Sequence, residues 1–300
     1  MDSVPMSIAI VGNGKRAMTF ADIFHFMGCR VTLITHEDRV LPDQDHEISS
    51  RYRKVLREKN ITLLTSTEVK GIKLGGHRSP IELVLGAKEK GVHSIRVAKV
   101  LVPGSRLADV EGFGLDNVGL ALRDGSLPVD ENLRTLQREI YAIGDVIGGK
   151  YAAHKAMREG LNVAKQMNGE GGETINYDLI PICLYTTPEV ASIGLTQEEA
   201  EKRGEDVELG YFSFSGGARA AVFGQIEGII KVVAHKKYGE VLGIHIIGPQ
   251  ATELISLASL AMRNELSIHE IKEAVCAHPS FSENFLEAIN DAAHAMMRGK

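Results

Sequence analysis

The chain has 300 residues, of which 44% are hydrophobic and 24% are charged. This composition is typical of a globular protein with two or three domains. The formal net charge of −5, without a long basic run, argues against nucleic-acid binding. No apolar run reaches the length of a membrane span, and the N-terminus does not resemble a secretory signal. We therefore expect a cytoplasmic protein that binds neither nucleic acid nor a membrane.

The first hundred residues alternate between strand and helix patterns. The apolar run 7–11 predicts a buried parallel strand, a helical pattern follows it, and residues 30–35 predict a second strand. A helix and a third strand are expected over 45–64, and strand-like pieces between 68 and 102 predict a small meander. Residues 1–104 are therefore predicted to form one doubly wound α/β unit.

The pattern changes after Pro103-Gly104. Residues 105–172 contain one apolar run, 140–143, which predicts a strand, and a helical stretch at 151–167. From residue 173 onward several strand patterns come first and two helical patterns close the chain. This order predicts a C-terminal α+β domain.

Gly12, Gly14 and Ala17 form a G-x-G-x-x-A pattern between the first predicted strand and the first predicted helix. The glycines allow a tight turn and a close approach of the backbone to a pyrophosphate. The helix N-terminus adds N–H groups and the positive end of the helix dipole. We expect this turn to bind a dinucleotide; the alternative is a structural turn without a ligand.

The second predicted strand ends without the acid that would indicate NAD. Thr35 occupies the position where a carboxylate would accept a hydrogen bond from the ribose 2′-hydroxyl. Glu37 or Asp38 could take that role, whereas Arg39 or His36 could bind a 2′-phosphate. The sequence leaves both NAD and NADP open.

Two later motifs carry side chains suited to chemistry. Gly144 and Asp145 follow the strand predicted at 140–143, so the carboxylate is expected at a sheet edge where ligands bind, or else as a helix N-cap. His278 precedes Glu283 by five residues, and a carboxylate can fix the tautomer of a histidine acid/base. Ser280 and Glu283 also fit a capping box for the last helix.

Taken together, these motifs resemble the pyridine nucleotide–disulfide oxidoreductases of class I, and most of all the dihydrolipoamide dehydrogenases. The most specific stretches are 140–146, 185–194, 242–249 and 277–283. The resemblance extends over nearly the whole chain and implies an α/β fold in three parts. These parts are a Rossmann-like nicotinamide domain (1–104), a residual FAD-domain segment (105–172) and a C-terminal α+β dimerisation domain (173–300).

The resemblance also implies roles for individual residues. NAD or NADP would be contacted by Gly12, Gly14, Ala17, Thr35 and Val69. FAD would be contacted by Gly144, Asp145, Tyr151, Ala152, Ala153 and His154. His278, oriented by Glu283, would be the acid/base that deprotonates a dithiol, and the C-terminal domain would form a homodimer.

The chain departs from the family pattern in its sulfur chemistry. Family members carry an earlier FAD-binding segment with its own Gly-rich fingerprint and a C-x-x-x-x-C redox pair. Here Cys29, Cys183 and Cys276 are too far apart in sequence to supply such a pair. We expect FAD to bind only if the missing N-terminal segment is supplied, and the chain alone to be inactive. It would then be a fragment of a larger enzyme, a subunit beside a separate FAD-domain chain, or a non-enzymatic nucleotide-binding dimer.

Overall fold

The computed structural model describes residues 3–75, 80–87 and 91–298. The chain folds into two compact units, one formed by residues 1–104 together with 183–300, and the other by residues 105–182. The division into three domains stays a prediction. No helix in the described ranges is long and apolar enough to cross a membrane.

The first unit begins with a four-stranded parallel sheet. Its strands are β1 (Ser7–Val11), β2 (Arg30–Ile34), β3 (Thr62–Leu64) and β7 (Lys99–Leu101), in the order β3-β2-β1-β7. Helices α1 (Lys15–Phe26) and α2 (His46–Glu58) form the two connections between β1, β2 and β3. Residues of both helices share one apolar core with β1 and β2, which explains why these strands are apolar runs.

An antiparallel meander covers the other face of this sheet. It consists of β4 (Thr67–Lys73), β5 (Ile81–Ala87) and β6 (Gly91–Val97), in that order. Leu83 and Leu85 are buried in one core with Ala9 and Ile34 of the parallel sheet. The parallel α/β unit and its meander are therefore as the sequence predicts, but the unit is not doubly wound, because both helices pack on one face and the meander covers the other.

The second unit is largely irregular, and here one prediction is wrong. Residues 140–143 do not form a strand, since only Tyr141 makes an isolated bridge, to Arg134. The physical reason is that none of the three sheets found in the described residues includes this unit's residues 105–181, so the run has no ladder to join. A 3-10 turn at Gly144–Ile147 follows, and then helix α3 (Ala153–Met167).

The C-terminal part of the first unit is an antiparallel sheet with helices packed on it. Its strands are β8 (Ile182–Leu184), β9 (Glu189–Gly194), β10 (Val207–Ser213), β11 (Ile229–His235) and β12 (Val241–Gly248), in the order β10-β11-β12-β9-β8. The helices are α4 (Gln197–Lys202), α5 (Ala218–Phe223), α6 (Ala251–Arg263), α7 (Ile268–Ile271) and α8 (Phe281–Arg298). The core joins β11 and β12 to α6 and α8, so the predicted α+β architecture is confirmed.

Candidate functional site

The Gly-rich turn joins β1 to α1 with the geometry expected of a dinucleotide turn. Gly12 has a φ of +148°, and its N–H donates to the carbonyl of Ile34 at 2.8 Å, which ties the turn to β2. Gly14 is the extended N-cap of α1, and the first turn of that helix carries no acidic residue. A Cβ on Gly14 would meet no described atom within 4 Å, whereas one on Gly12 would lie 3.5 Å from Ala17 Cβ. The turn is therefore open beside Gly14 and suits an anionic group at the helix N-terminus.

Thr35 at the end of β2 is a structural residue in this arrangement. Its buried hydroxyl accepts a hydrogen bond from the N–H of Glu37 at 3.1 Å, and its carbonyl accepts from Thr67 at 2.8 Å. The second bond places β4 beside the end of β2, where half-buried Val69 packs in the same core as Ile34. The structure thus brings Thr35 and Val69 together at the C-terminal end of β2, the strand to which the Gly-rich turn is hydrogen-bonded.

Asn13 connects the Gly-rich turn to the segment after β2, a link that the sequence motifs did not indicate. Its side-chain Nδ2 donates to the carbonyl of Arg39 at 3.2 Å, and its own carbonyl accepts from the N–H of Leu41 at 2.8 Å. The Arg39 side chain points to Glu198 of α4 at 3.4 Å and donates to the carbonyl of Pro42 at 2.8 Å. Arg39 is therefore fixed at the turn by its backbone while its guanidinium is engaged elsewhere.

A buried ionic network anchors the start of α2 to the C-terminal sheet. Asp45 caps α2 by accepting from the N–H of Glu47 at 3.0 Å, and both its carboxylate oxygens lie 2.9 Å from Lys231 Nζ. His245 is buried beside this pair, with Nε2 at 2.9 Å from the carbonyl of Leu195. Burial lowers the pKa of His245. Burial would raise the pKa of Asp45, but the hydrogen bonds and the charge of Lys231 outweigh it and lower that pKa.

In the second unit, the carboxylate predicted to contact FAD already has a partner. Asp145 Oδ2 accepts from Arg106 Nη1 at 2.5 Å, and the hydroxyl of Tyr151 donates to the Arg106 carbonyl at 3.3 Å. His154 Nε2 lies 2.8 Å from the carbonyl of Pro181. Asp145 is not a helix N-cap, because Ile143 caps the 3-10 turn and Ala152 caps α3. Three of the predicted FAD-contacting side chains are thus engaged inside this unit.

Two buried charges that the sequence analysis did not single out hold the turn that carries Asp145. Lys155 and Glu159 of α3 are 1% and 0% exposed and lie 3.3 Å apart. Lys155 donates to the carbonyls of Gly144 and Gly148, and Glu159 accepts from the N–H of Gly144 at 2.6 Å. The hydroxyl of Tyr177 also donates to Glu159, and burial together with this carboxylate raises the pKa of Tyr177 to about 12.

His278 and Glu283 form the pair that the sequence predicts. His278 Nδ1 lies 2.8 Å from Glu283 Oε1, while Glu283 Oε2 accepts from the N–H of Ser280 at 2.7 Å. The bond to His278, followed by that to Ser280, lowers the pKa of Glu283. Only half of the predicted capping box is present, because the buried Ser280 hydroxyl has no hydrogen-bond partner among the described atoms. The carboxylate fixes the ring, and the side chain of His278 is 72% exposed.

All three cysteines are free. Burial raises the pKa of the Cys29, Cys183 and Cys276 thiols, so each is held in the protonated form. Cys276, two residues before His278, donates to the carbonyl of Ser282 at 3.5 Å. These thiols do not form a redox pair.

Two family models match the chain. Residues 2–160 match the pyridine nucleotide-disulphide oxidoreductase model, and residues 180–289 match the dimerisation domain of that family. The chain belongs to the pyridine nucleotide-disulphide oxidoreductase family. The predicted family and fold class are thereby confirmed, and so is the presence of a dimerisation domain. Nucleotide cofactors are a property of the family, which agrees with the predicted dinucleotide turn.

Curated relatives and solved structures agree with this assignment. Dihydrolipoyl dehydrogenase of Bacillus subtilis is 36% identical over 295 residues, which are 98% of this chain and 61% of the relative. That of Thermus scotoductus is 35% identical over 290 residues, 96% of this chain and 62% of the relative. LpdA from Mycobacterium tuberculosis is similar in structure with a TM-score of 0.87 and 25% identity, over 97% of this chain and 62% of LpdA. The flavoprotein disulfide reductase RclA from Escherichia coli shares the fold, with a TM-score of 0.86 and 23% identity, over 97% of this chain and 65% of RclA.

The chain therefore spans about three-fifths of the length of the curated relatives that it matches. The roles predicted for individual site residues, and the activity of any larger assembly, stay predictions.

Proposed function

We propose that this chain supplies the pyridine-nucleotide site and the acid/base residue of a dihydrolipoamide dehydrogenase-like disulfide oxidoreductase, and that it works as a homodimer. The observation that carries the proposal is the hydrogen-bonded pair of His278 and Glu283 in a chain of this family, with the imidazole exposed. An exposed histidine with a fixed tautomer is suited to exchanging protons with a dithiol substrate.

The first contribution of the chain is nucleotide binding. A pyrophosphate would lie against the backbone of Gly12 and Gly14 at the N-terminus of α1, where the open side of Gly14 gives it room. Ala17 is buried behind the turn and keeps α1 close to β1. A bound nicotinamide would accept or deliver the hydride, and this chain's residues hold and orient it.

The second contribution is proton transfer at His278. When the ring is neutral, Nδ1–H donates to Glu283, which leaves Nε2 as the nitrogen that accepts a proton from a thiol. The lowered pKa of Glu283 keeps that carboxylate ionised, and its charge stabilises the imidazolium that forms. We expect this proton transfer to accelerate the reaction by about 10²–10⁴-fold.

We propose that FAD binds only together with a further flavin-binding segment, and that the isolated chain does not oxidise dihydrolipoamide. The three free cysteines cannot act as a dithiol, and Asp145 is paired with Arg106. The residues predicted to contact FAD therefore supply only part of a flavin site.

Helix α3 carries a surface suited to contact with such a segment. Its buried face carries the charges of Lys155 and Glu159, whereas Ala153, Met157 and Leu161 form an exposed apolar stripe at i, i+4 and i+8. Met157 and Leu161 are 69% and 62% exposed. This is the reverse of the usual arrangement on a surface helix, and exposed apolar stripes of this kind mark sites of protein contact.

A co-expression experiment tests the proposal. The chain is purified alone, and after co-expression with the part of the Bacillus subtilis dihydrolipoyl dehydrogenase that lies outside the match. We expect the chain alone to be colourless and inactive with dihydrolipoamide and NAD, and the complex to be yellow and active. Near-stoichiometric flavin in the isolated chain would overturn the need for a further segment.

The acid/base role is tested in the same complex. We expect His278→Gln to lower turnover by about 10²-fold or more. The control is His294→Gln, which changes an exposed histidine in α8, the helix that follows His278. Full activity of the His278→Gln complex would show that His278 does not transfer the proton.

A further inference from the structure

The backbone of Arg39 is hydrogen-bonded to the Gly-rich turn, whereas its side chain points away from that turn to Glu198. Asn13, inside the Gly-rich turn, holds the segment after β2 through the Arg39 carbonyl at 3.2 Å and the Leu41 N–H at 2.8 Å. These bonds fix the Arg39 Cα next to the turn. In a dinucleotide-binding fold the ribose lies at the end of the second strand, and Arg39 is on the segment that follows β2.

The guanidinium of Arg39 is instead held by the dimerisation domain. Both terminal nitrogens lie 3.4 Å from the carboxylate of Glu198 on α4, and Nη2 donates to the carbonyl of Pro42 at 2.8 Å. The Arg39 and Glu198 side chains are 29% and 41% exposed, so the ion pair is only partly covered. Such a pair is weak and can be opened by a single substitution.

The end of β2 presents a different group. Glu37 is two residues after Thr35, and its Oε1 lies 3.4 Å from His36 Nε2, with the two side chains 46% and 72% exposed. A carboxylate there can accept a hydrogen bond from a ribose 2′-hydroxyl and repels a 2′-phosphate. Glu37 therefore favours a ligand without the additional phosphate at the end of β2.

We propose that Glu198, contributed by the dimerisation domain, sets the nucleotide preference of this chain for NAD by withholding Arg39 from the ribose 2′ position. The inference rests on the proposed nucleotide site at Gly12–Ala17. Arginine is the side chain best suited to bind a phosphate through two parallel hydrogen bonds, so its release creates a 2′-phosphate contact. Glu198 acts through Arg39 and is a positioning residue.

The test measures the dissociation constants of NADH and NADPH by calorimetry for the full chain and its Glu198→Gln variant. We expect the wild type to bind NADH more tightly than NADPH. Glu198→Gln should tighten NADPH binding by about three- to tenfold and change NADH binding by less than about twofold. The double variant Glu198→Gln/Arg39→Met should lose the gain in NADPH affinity, because the effect passes through Arg39.

The matched control is Glu201→Gln, which removes the same charge from α4 at a residue bonded to Gln197 and not to Arg39. An equal gain in NADPH affinity in this control would overturn the inference in favour of a general charge effect. An unchanged ratio of the two affinities in Glu198→Gln, or a wild type that prefers NADPH, would also overturn it. If the folded wild type binds neither nucleotide at millimolar concentration, the proposed nucleotide site itself fails.

Discussion

The two turns of this chain that are predicted to face ligands, Gly12–Ala17 and Gly144–Gly148, are held in different ways. The first is held by backbone hydrogen bonds, from Gly12 to the end of β2 and between Asn13 and Leu41. The second is held by the buried side chains of Lys155 and Glu159, which bond to its backbone groups. The first turn presents an open helix N-terminus, whereas the carboxylate of the second is paired with Arg106.

This difference bears on which of the two proposed sites the chain supplies by itself. A turn made of backbone groups needs only glycines between a strand and a helix, so we expect the chain to supply the proposed nucleotide turn by itself. A turn held by buried charges is costly to form and depends on every partner being in place. The carboxylate of Asp145 at this turn is paired with Arg106, which agrees with the proposal that flavin binding needs another segment.

The largest predicted effect comes from removing the buried ion pair that holds the second turn. Lys155→Met leaves Glu159 buried without its cation, and removing one partner of a buried pair costs about 3–5 kcal/mol. We expect amides in residues 105–182 to lose protection in hydrogen exchange, while the core of the first unit keeps it. The control is Lys165→Met, because Lys165 is exposed on the same helix. Equal protection in both variants would show that the pair does not hold the turn.

The next effect separates folding from binding in the first turn. Gly12→Ala places a side chain at a φ of +148°, where strain costs about 1–3 kcal/mol, so we expect a lower melting temperature. Gly14 has an ordinary φ of −82°, and its added Cβ would meet no described atom within 4 Å. Gly14→Ala should therefore keep the melting temperature and weaken NADH binding by about tenfold, since the methyl group occupies the ligand's side of the turn. Unchanged NADH affinity in folded Gly14→Ala would contradict a nucleotide at this turn.

The sequence predicted the first turn because its information is local. The glycine spacing, the preceding apolar strand and the following helical pattern all occur within about thirty residues. The pair of His278 and Glu283 was found for the same reason, since the two residues are five positions apart and meet at the start of one helix. Family resemblance then gave these residues their proposed roles.

The parts that the sequence did not predict depend on contacts between distant segments. Lys155 and Glu159 have the spacing of an ordinary surface ion pair on a helix, and only the fold shows that they are buried. The prediction of a strand at 140–143 was wrong because an apolar run does not reveal whether a neighbouring strand exists to pair with it. The bond between Arg39 and Glu198 joins residues 159 positions apart, which no local pattern can indicate.

A smaller predicted effect is a pH dependence of the stability of the first unit, caused by His245. His245 is buried beside Asp45, Lys231 and Glu199, and burial lowers its pKa below the ordinary value of 6.5. The unfolded chain therefore binds this proton more readily than the folded chain does. Stability contributed by neutral His245 is present above pH 6.5 and decreases as the pH falls below it. Urea midpoints at several pH values should show this loss in the wild type and a flatter profile in His245→Gln. A profile of the same slope in both proteins would count against His245 as its source.

The smallest effect concerns the hydrogen-bonded pair of His278 and Glu283 in the first unit. The hydrogen bond from His278 is the main cause of the lowered pKa of Glu283, and the N–H of Ser280 is the second. In His278→Gln we expect the pKa of Glu283 to rise toward its ordinary value of 4.5 without reaching it, because the Ser280 bond remains. Carbon-detected NMR titration of the carboxyl group measures this shift, and His294→Gln should leave it unchanged. A Glu283 pKa that does not move in His278→Gln would mean that the imidazole is not bonded to the carboxylate in solution, and Glu283 could then not fix the tautomer of a catalytic base.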